Sequence, residues 1–164
     1  MKALYVLRHG IAEERGENPD DDARKLTRKG KDRMKQIVKG LDDAGIPCDV
    51  ILTSPLVRAV QTARIARKYC WENADIEVTD LLEPDASFDE LIDHLNGLEG
   101  VDNAAIVGHE PFLSGFVSYC LAGDRSSFVR LKKGGVASLE IDEAIKPGQC
   151  ALTFLMQPEH LIRD

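Results

Sequence analysis

Short runs of uninterrupted apolar residues constrain this chain most: Ala3-Leu4-Tyr5-Val6-Leu7, Val50-Ile51-Leu52 and Ala104-Ala105-Ile106-Val107. Such runs, too short for core helices and without polar alternation, suit strands covered on both faces, as in a parallel sheet. Ile76-Glu77-Val78 is a shorter and weaker strand candidate. Helical patterns lie between the runs. Met34, Ile37, Val38 and Leu41 share one face of a helix, with Thr27 as its expected N-cap and Gly45 and Pro47 as its stop. A second helix is expected to take Ser54 as cap and Pro55 as first residue, and to run through Val60, Ala63, Ile65 and Ala66 towards Tyr69 and Trp71, which finish it against the core. Ser87-Phe88-Asp89-Glu90 reads as a capping box ahead of Leu91, Ile92 and Leu95. Leu113, Phe116, Val117, Cys120 and Leu121 mark a further helix after Pro111. In the tail, Val136 to Ile141 and Ala151 to Met156 are expected as antiparallel edge strands, with a turn at Lys146-Pro147-Gly148. The alternation predicts a three-layer α/β/α sandwich with a mostly parallel sheet, formed as one domain over residues 1–164.

Composition narrows the function classes. The chain has 21 Lys and Arg against 28 Asp and Glu, a net charge of −7. An acidic excess argues against a general nucleic-acid or anionic-membrane binder, which needs a basic one. No apolar run approaches the ~18 residues that span a bilayer, and the run after Met1-Lys2 is shorter than the ~7–15 residues of a signal-peptide core. A cytoplasmic location is therefore expected. Cys48, Cys70, Cys120 and Cys150 lie far apart with no Cys-x-x-Cys, so they read as reduced thiols, mostly in the core, and no metal site is expected. The segment from Ile11 to Arg24, with Asp20-Asp21-Asp22, reads as a solvated acidic loop, and Lys132-Lys133-Gly134-Gly135 as a turn before a strand. His94 and His160 read as surface histidines.

In open parallel sheets, ligands bind at the carboxyl ends of the strands. Arg8-His9-Gly10 follows the first run, Thr53-Ser54-Pro55 the second with Arg58 shortly after, and Gly108-His109-Glu110-Pro111 the Ala104–Val107 run. Two arginines and two histidines thus fall on one edge of the sheet. Arginine matches phosphate oxygens with a planar fork, helix N-termini add free N–H groups, and Gly10 and Gly108 let backbone come close. A cluster of this kind without an anion would repel itself, so phosphate is the natural guest.

These blocks, read together with Gln61-Thr62-Ala63, resemble the histidine phosphatase superfamily, whose core is similar to that of phosphoglycerate mutases. The length and the Gly-His-Glu-Pro block look most like the small phosphohistidine phosphatases of the SixA type. The resemblance implies a phosphoglycerate mutase-like fold. It implies that His9 is the nucleophile, that Arg8 and Arg58 bind the phosphoryl oxygens with Gly10 beside them, and that His109 hydrogen-bonds the same group. It places Arg24 before the first helix as a further phosphate ligand, and Glu83 in Leu81-Leu82-Glu83-Pro84 where many members carry a proton donor. Positioning and positive charge suffice for phosphoryl transfer, so no cofactor is expected. The implied partner is a phosphohistidine-bearing signalling protein, with no nucleic acid or membrane, and the chain is expected to act as a monomer.

Other readings stay open. A phosphatase of small phosphomonoesters, or a non-catalytic phosphate-binding module, would use the same residues. A receiver-type signalling domain would need acidic residues after the first strand, where this chain has Arg8-His9.

Overall fold

Strand β1 (Ala3–Arg8) lies inside a six-stranded sheet and is flanked on both sides, which explains why its run is apolar on both faces. The computed structural model describes residues 1–163. The other strands are β2 (Val50–Thr53), β3 (Asp75–Val78), β4 (Asn103–Gly108), β5 (Val136–Glu140) and β6 (Ala151–Met156). Their spatial order is β3-β2-β4-β1-β5-β6. The first four are mutually parallel, β5 runs antiparallel to β1, and β6 antiparallel to β5. The sandwich expected from the alternation is therefore present. One expectation needs correcting: β5 is an interior strand between β1 and β6, and of the two tail strands β6 alone lies at an edge, β3 forming the other. The apolar side chains of β5, Val136, Ala137 and Leu139, are all fully buried, as an interior position requires.

The helices are α1 (Arg28–Asp43), α2 (Val57–Tyr69), α3 (Phe88–Asn96), α4 (Phe112–Ala122) and the short α5 (Pro158–Leu161). Successive strand residues point to opposite faces. Tyr5 and Leu7 pack with Met34, Ile37, Val38 and Leu41 of α1 and with Ala59, Ala63 and Ala66 of α2. Leu4 and Val6 pack on the other face with Leu91, Ile92 and Leu95 of α3 and with Leu113, Phe116 and Val117 of α4. Three alanines on the inner stripe of α2 bring that helix close to the sheet. Trp71 closes this layer, with its indole N–H donating to Ile46 O at 2.9 Å.

The capping residues were largely readable. Thr27 Oγ1 accepts from Gly30 N–H at 2.9 Å and starts α1, and Ser87 Oγ caps α3. The expected start of α2 is displaced. The helix begins at Val57 with Leu56 as N-cap, so Pro55 stands ahead of it and Ser54 is free for another partner. The thiols are all free, but only Cys120 is fully buried, the other three being half-buried.

Close approaches tie the 11–26 loop to α1. A Cβ on Gly30 would lie 2.0 Å from the Ile11 carbonyl oxygen, which cannot yield without moving the backbone. The same carbonyl accepts from Thr27 N–H at 3.0 Å. Gly30→Ala is therefore expected to destabilise the fold by about 1–3 kcal/mol, the usual cost of overpacking, despite the better helix propensity of alanine. Urea unfolding checks this, and an unchanged or raised stability would show that the loop does not depend on the contact.

Candidate active site

The site is set by strand register. Arg8 pairs with Gly108 across β1 and β4, so His9 and His109 leave the sheet side by side. His9 N–H donates to Gly108 O at 3.1 Å, and the two imidazole centroids stand 5.1 Å apart. β2 ends next to them, with Ser54 N–H donating to Val107 O at 3.0 Å.

His9 is 6% exposed. Its Nδ1 lies 2.7 Å from the Gly10 carbonyl oxygen. A carbonyl only accepts, so Nδ1 carries the proton and Nε2 keeps the lone pair. Burial pushes the His9 pKa down to about 3. The Gly10 bond opposes this, while His109, Arg58 and Arg8 add to it. Gly10 itself is committed to the scaffold. Its N–H donates to Thr62 Oγ1 at 3.1 Å, and a Cβ there would meet Met34 Cγ at 2.5 Å. Its small size thus serves the approach of the β1 exit to α1.

His109 is 3% exposed and lies with Nε2 2.8 Å from Ser54 Oγ. Ser54 Oγ accepts from Leu56 N–H, and its hydroxyl can donate to Nε2, the arrangement in which His109 carries its proton on Nδ1. Burial lowers the His109 pKa to about 4, helped most by the Arg58 charge and opposed by Asp21.

Arg58, in the first turn of α2, is 4% exposed and donates to Asp21 O at 2.8 Å. Arg8 donates to Leu131 O at 2.8 Å. Burial lowers both guanidinium pKa values, yet arginine remains cationic at neutral pH. Arg24 donates to Glu13 O at 2.6 Å. The Asp21 carboxylate joins the two arginines of its neighbourhood, at 2.9 Å from Arg24 Nε and 3.3 Å from Arg58 Nη2. The slight burial of Asp21 works against its ionisation, but the Arg24 hydrogen bond and the Arg24, Arg58 and Arg15 charges hold its pKa below the usual range. The expected solvated acidic loop is corrected accordingly, because its middle aspartate belongs to the arginine cluster.

Arg8, His9, Arg24, Arg58 and His109 all line one pocket of about 640 Å³. Three buried polar atoms on these residues have no partner: Arg8 Nε, Arg58 Nε and His109 Nδ1. Buried polar atoms are rarely left unpaired, and all three belong to residues that line the pocket. Glu83 lies outside the wall, where its neighbour Pro84 stands instead. Glu110 does line the pocket, but its carboxylate oxygens accept from Ser114 N–H and from the Ser114 hydroxyl. Lys133 adds a cation to the wall. Among the described residues, no group of three His, Cys, Asp or Glu side chains is placed to hold a metal ion.

Sequence reading missed Ser54 as the partner of His109, Asp21 as the link between arginines, and Lys133. Asp21 stands three residues before Arg24, a spacing that could have signalled the pair. Lys133 becomes visible once β5 is placed beside β1, since Leu7 then pairs with Val136 and the preceding turn lies over the β1 exit.

The profile of the histidine phosphatase superfamily (branch 1) matches residues 4–84, a span that takes in Arg8, His9, Arg24 and Arg58. An uncharacterised protein of Picosynechococcus is 34% identical over 142 residues, covering 83% of each chain. Among solved structures, the protein histidine phosphatase SixA complexed with tungstate superposes with a TM-score of 0.86 at 24% identity, covering 97% of this chain and 99% of that one. The α-ribazole phosphatase of Shigella flexneri gives 0.74 at 18% identity, over 93% and 95% of the two chains. At these identities the two structures speak to the fold, which is the phosphoglycerate mutase-like one. By the profile match and the 34% identical relative, the chain belongs to the histidine phosphatase superfamily.

Proposed function

We propose that the protein is a phosphohistidine phosphatase that transfers the phosphoryl group of a protein phosphohistidine to His9 and then to water. The observation that carries this reading is the neutral His9, its Nε2 lone pair free, in one pocket with Arg8, Arg58 and His109.

In the first step, Nε2 of His9 attacks phosphorus. A new P–N bond forms as the P–N bond of the substrate breaks, and the substrate imidazole leaves. Arg8, Arg58 and the Nδ1 proton of His109 stabilise the charge spread over the equatorial oxygens, with Arg24 beyond them. As His9 Nε2 becomes bonded to phosphorus, the ring gains positive charge, and the Gly10 carbonyl that accepts from Nδ1 stabilises it. Water then attacks the phosphohistidine, releasing orthophosphate and restoring His9.

The carboxylates of the wall favour an imidazole leaving group over an alkoxide. An alkoxide needs a proton from a well-placed acid. Asp21 is engaged by arginines, Glu13 accepts from Lys25 N–H, and Glu110 is held by Ser114. Glu83 is not among the wall residues, and Glu14 lines the wall only from the exposed part of the loop, where it is solvated rather than packed against a leaving group. An imidazole leaves without strong acid help, so this site serves it best.

His9→Gln is expected to reduce release of orthophosphate from a histidine-phosphorylated protein to background, and Arg58→Ala to lower kcat/KM by about 10²–10³-fold. Phosphomonoesters such as phosphoserine should be turned over far more slowly by the wild type. Faster turnover of the esters would favour the small-molecule reading, and no turnover of either class by the wild type would favour a binding module.

The buried histidines also predict how stability depends on pH. In the unfolded chain both take up protons near 6.5, whereas in the fold they do so only near 3 and 4. The unfolded state therefore binds more protons below pH 6.5, and stability is lost as the pH falls from there towards 4. Above 6.5 these two groups contribute no slope. Chemical denaturation across this range should show a shallower acid slope for His9→Gln than for the wild type. Equal slopes would mean that His9 protonates in the fold near its ordinary value.

A further inference from the structure

We propose that the outer surface of α1 and α2 is a docking face for an acidic protein surface, and that the protein docked there is the phosphorylated substrate; the second part rests on the phosphatase reading above.

The charge of this molecule is sharply segregated. On α1, Arg28, Lys29, Lys31, Arg33, Lys35 and Lys39 are exposed or half-buried. On α2, Arg64, Arg67 and Lys68 are exposed. Only three acidic residues, Asp32, Asp42 and Asp43, stand on these helices, in a chain with 28. The two helices form one continuous face. The ammonium groups of Lys35 from α1 and Lys68 from α2 lie 4.7 and 5.3 Å from the centre of the same Tyr69 ring.

None of these cations is matched by a carboxylate of the described residues, Lys35 and Lys68 meeting only the Tyr69 ring. Elsewhere, Lys2, Arg15, Arg24, Arg125 and Lys132 each hold a carboxylate. Among the described residues, none of the nine helix cations lies within 4 Å of one. Asp43 of α1 is itself taken, at 3.6 Å from Arg163 Nη1. The arrangement is also unfavourable locally. Lys29 and Arg33, Lys31 and Lys35, and Arg64 and Lys68 are like charges one turn apart, which repel. Arg28, Lys29 and Lys31 crowd the positive end of the α1 dipole, whose first turn holds no acid. A face of like charges that gains no internal ion pair is explained by an external anion.

The surroundings select the kind of anion. A long nucleic acid would run past these helices onto a body that carries the other 25 acidic residues. It would also find no stacking platform, because Tyr69 is half-buried beneath two ammonium groups. A membrane would need apolar residues to insert, and Met34, Ile37, Val38 and Leu41 are all turned into the core. A folded protein with a local acidic patch meets both limits. Its position is also suited to the site. α1 follows the loop that lines the pocket and α2 opens with Arg58 in the wall, so both helices start at the pocket end and extend away from it, α1 for about 24 Å.

The test uses the whole protein and the triple variant Lys29→Glu, Lys31→Glu, Arg67→Glu. Two of these glutamates fall in the first turn of α1, where they favour the helix, and a Gln version of the same triple variant controls for folding. Fluorescent polyglutamate should bind the wild type with an affinity that falls as salt rises, and the Glu variant should bind at least about tenfold more weakly. Hydrolysis of phosphoramidate should be the same in both, while kcat/KM for an acidic carrier protein phosphorylated on histidine should fall about tenfold in the variant. Binding unaffected by the reversal, or tighter binding to duplex DNA or phosphatidylserine vesicles than to polyglutamate, overturns the docking face. If the wild type hydrolyses neither phosphoramidate nor phosphohistidine, the phosphatase reading fails, and the substrate part of this proposal fails with it. The polyglutamate arm still decides the face separately.

Discussion

The hydrogen bond from His9 N–H to Gly108 O holds together nearly everything chemical in this molecule. It is the last rung of the β1–β4 ladder, and it makes the ends of two strands, about 100 positions apart in the chain, into neighbours with a defined offset. In a sheet, a slip of one residue sends every side chain to the opposite face. Leu4 and Val6 are committed to one core and Tyr5 and Leu7 to the other, so such a slip would expose both layers at once. The register is therefore held by the burial of apolar side chains, and the juxtaposition of His9 with His109 follows from it. β2 adds Ser54 by the same logic, through its bond to Val107.

On this frame the electrostatics become consistent. Two imidazoles and the Arg58 guanidinium are buried at one end of the strands with Arg8 half-buried beside them, and only the guanidiniums can keep their charge there. Desolvation and the arginine charges both press the histidines towards neutrality, which is the state a nitrogen nucleophile requires. Asp21 offsets part of the repulsion between Arg24 and Arg58 and holds them side by side. Its carboxylate, 45% exposed, sits at the open side of the pocket, so it can order the arginines without filling the space beside His9.

How much of this could be read beforehand depended on the range of the interaction. The apolar runs and helix stripes are local patterns, and they yielded the sandwich, the α1 cap at Thr27 and the α3 cap at Ser87. The positions of His9, Arg58 and His109 followed from the general rule that strand ends face the ligand, and Arg24 from family resemblance. Contacts between loops had no local signature. Ser54 looked like a helix cap because it precedes proline, whereas the helix starts later and the hydroxyl turns to His109. Asp21 looked solvated because it sits in an acidic run, and only the fold reveals that arginines close on it. Gly10 was read as room for phosphate, but the room is occupied by Met34. β5 was expected at the edge as one of a pair of tail strands, and no local pattern tells which of two such strands joins β1.

Positive charge is used in this protein in two physically different ways. In the pocket it is buried, unscreened and directional. A guanidinium there acts over a few ångströms, and its value lies in where its N–H groups are aimed. On α1 and α2 it is solvated and, at physiological ionic strength, felt only within a Debye length of about 8 Å. Charge of that kind cannot aim a phosphoryl group, but it can orient an approaching surface, and it strengthens only when a partner displaces the water. A single substrate protein can meet both, since the helices begin where the pocket opens. The net charge of −7 then describes neither region. It is the sum of a basic layer and an acidic remainder, and in the proposed docking that remainder would repel an acidic partner approaching from another side.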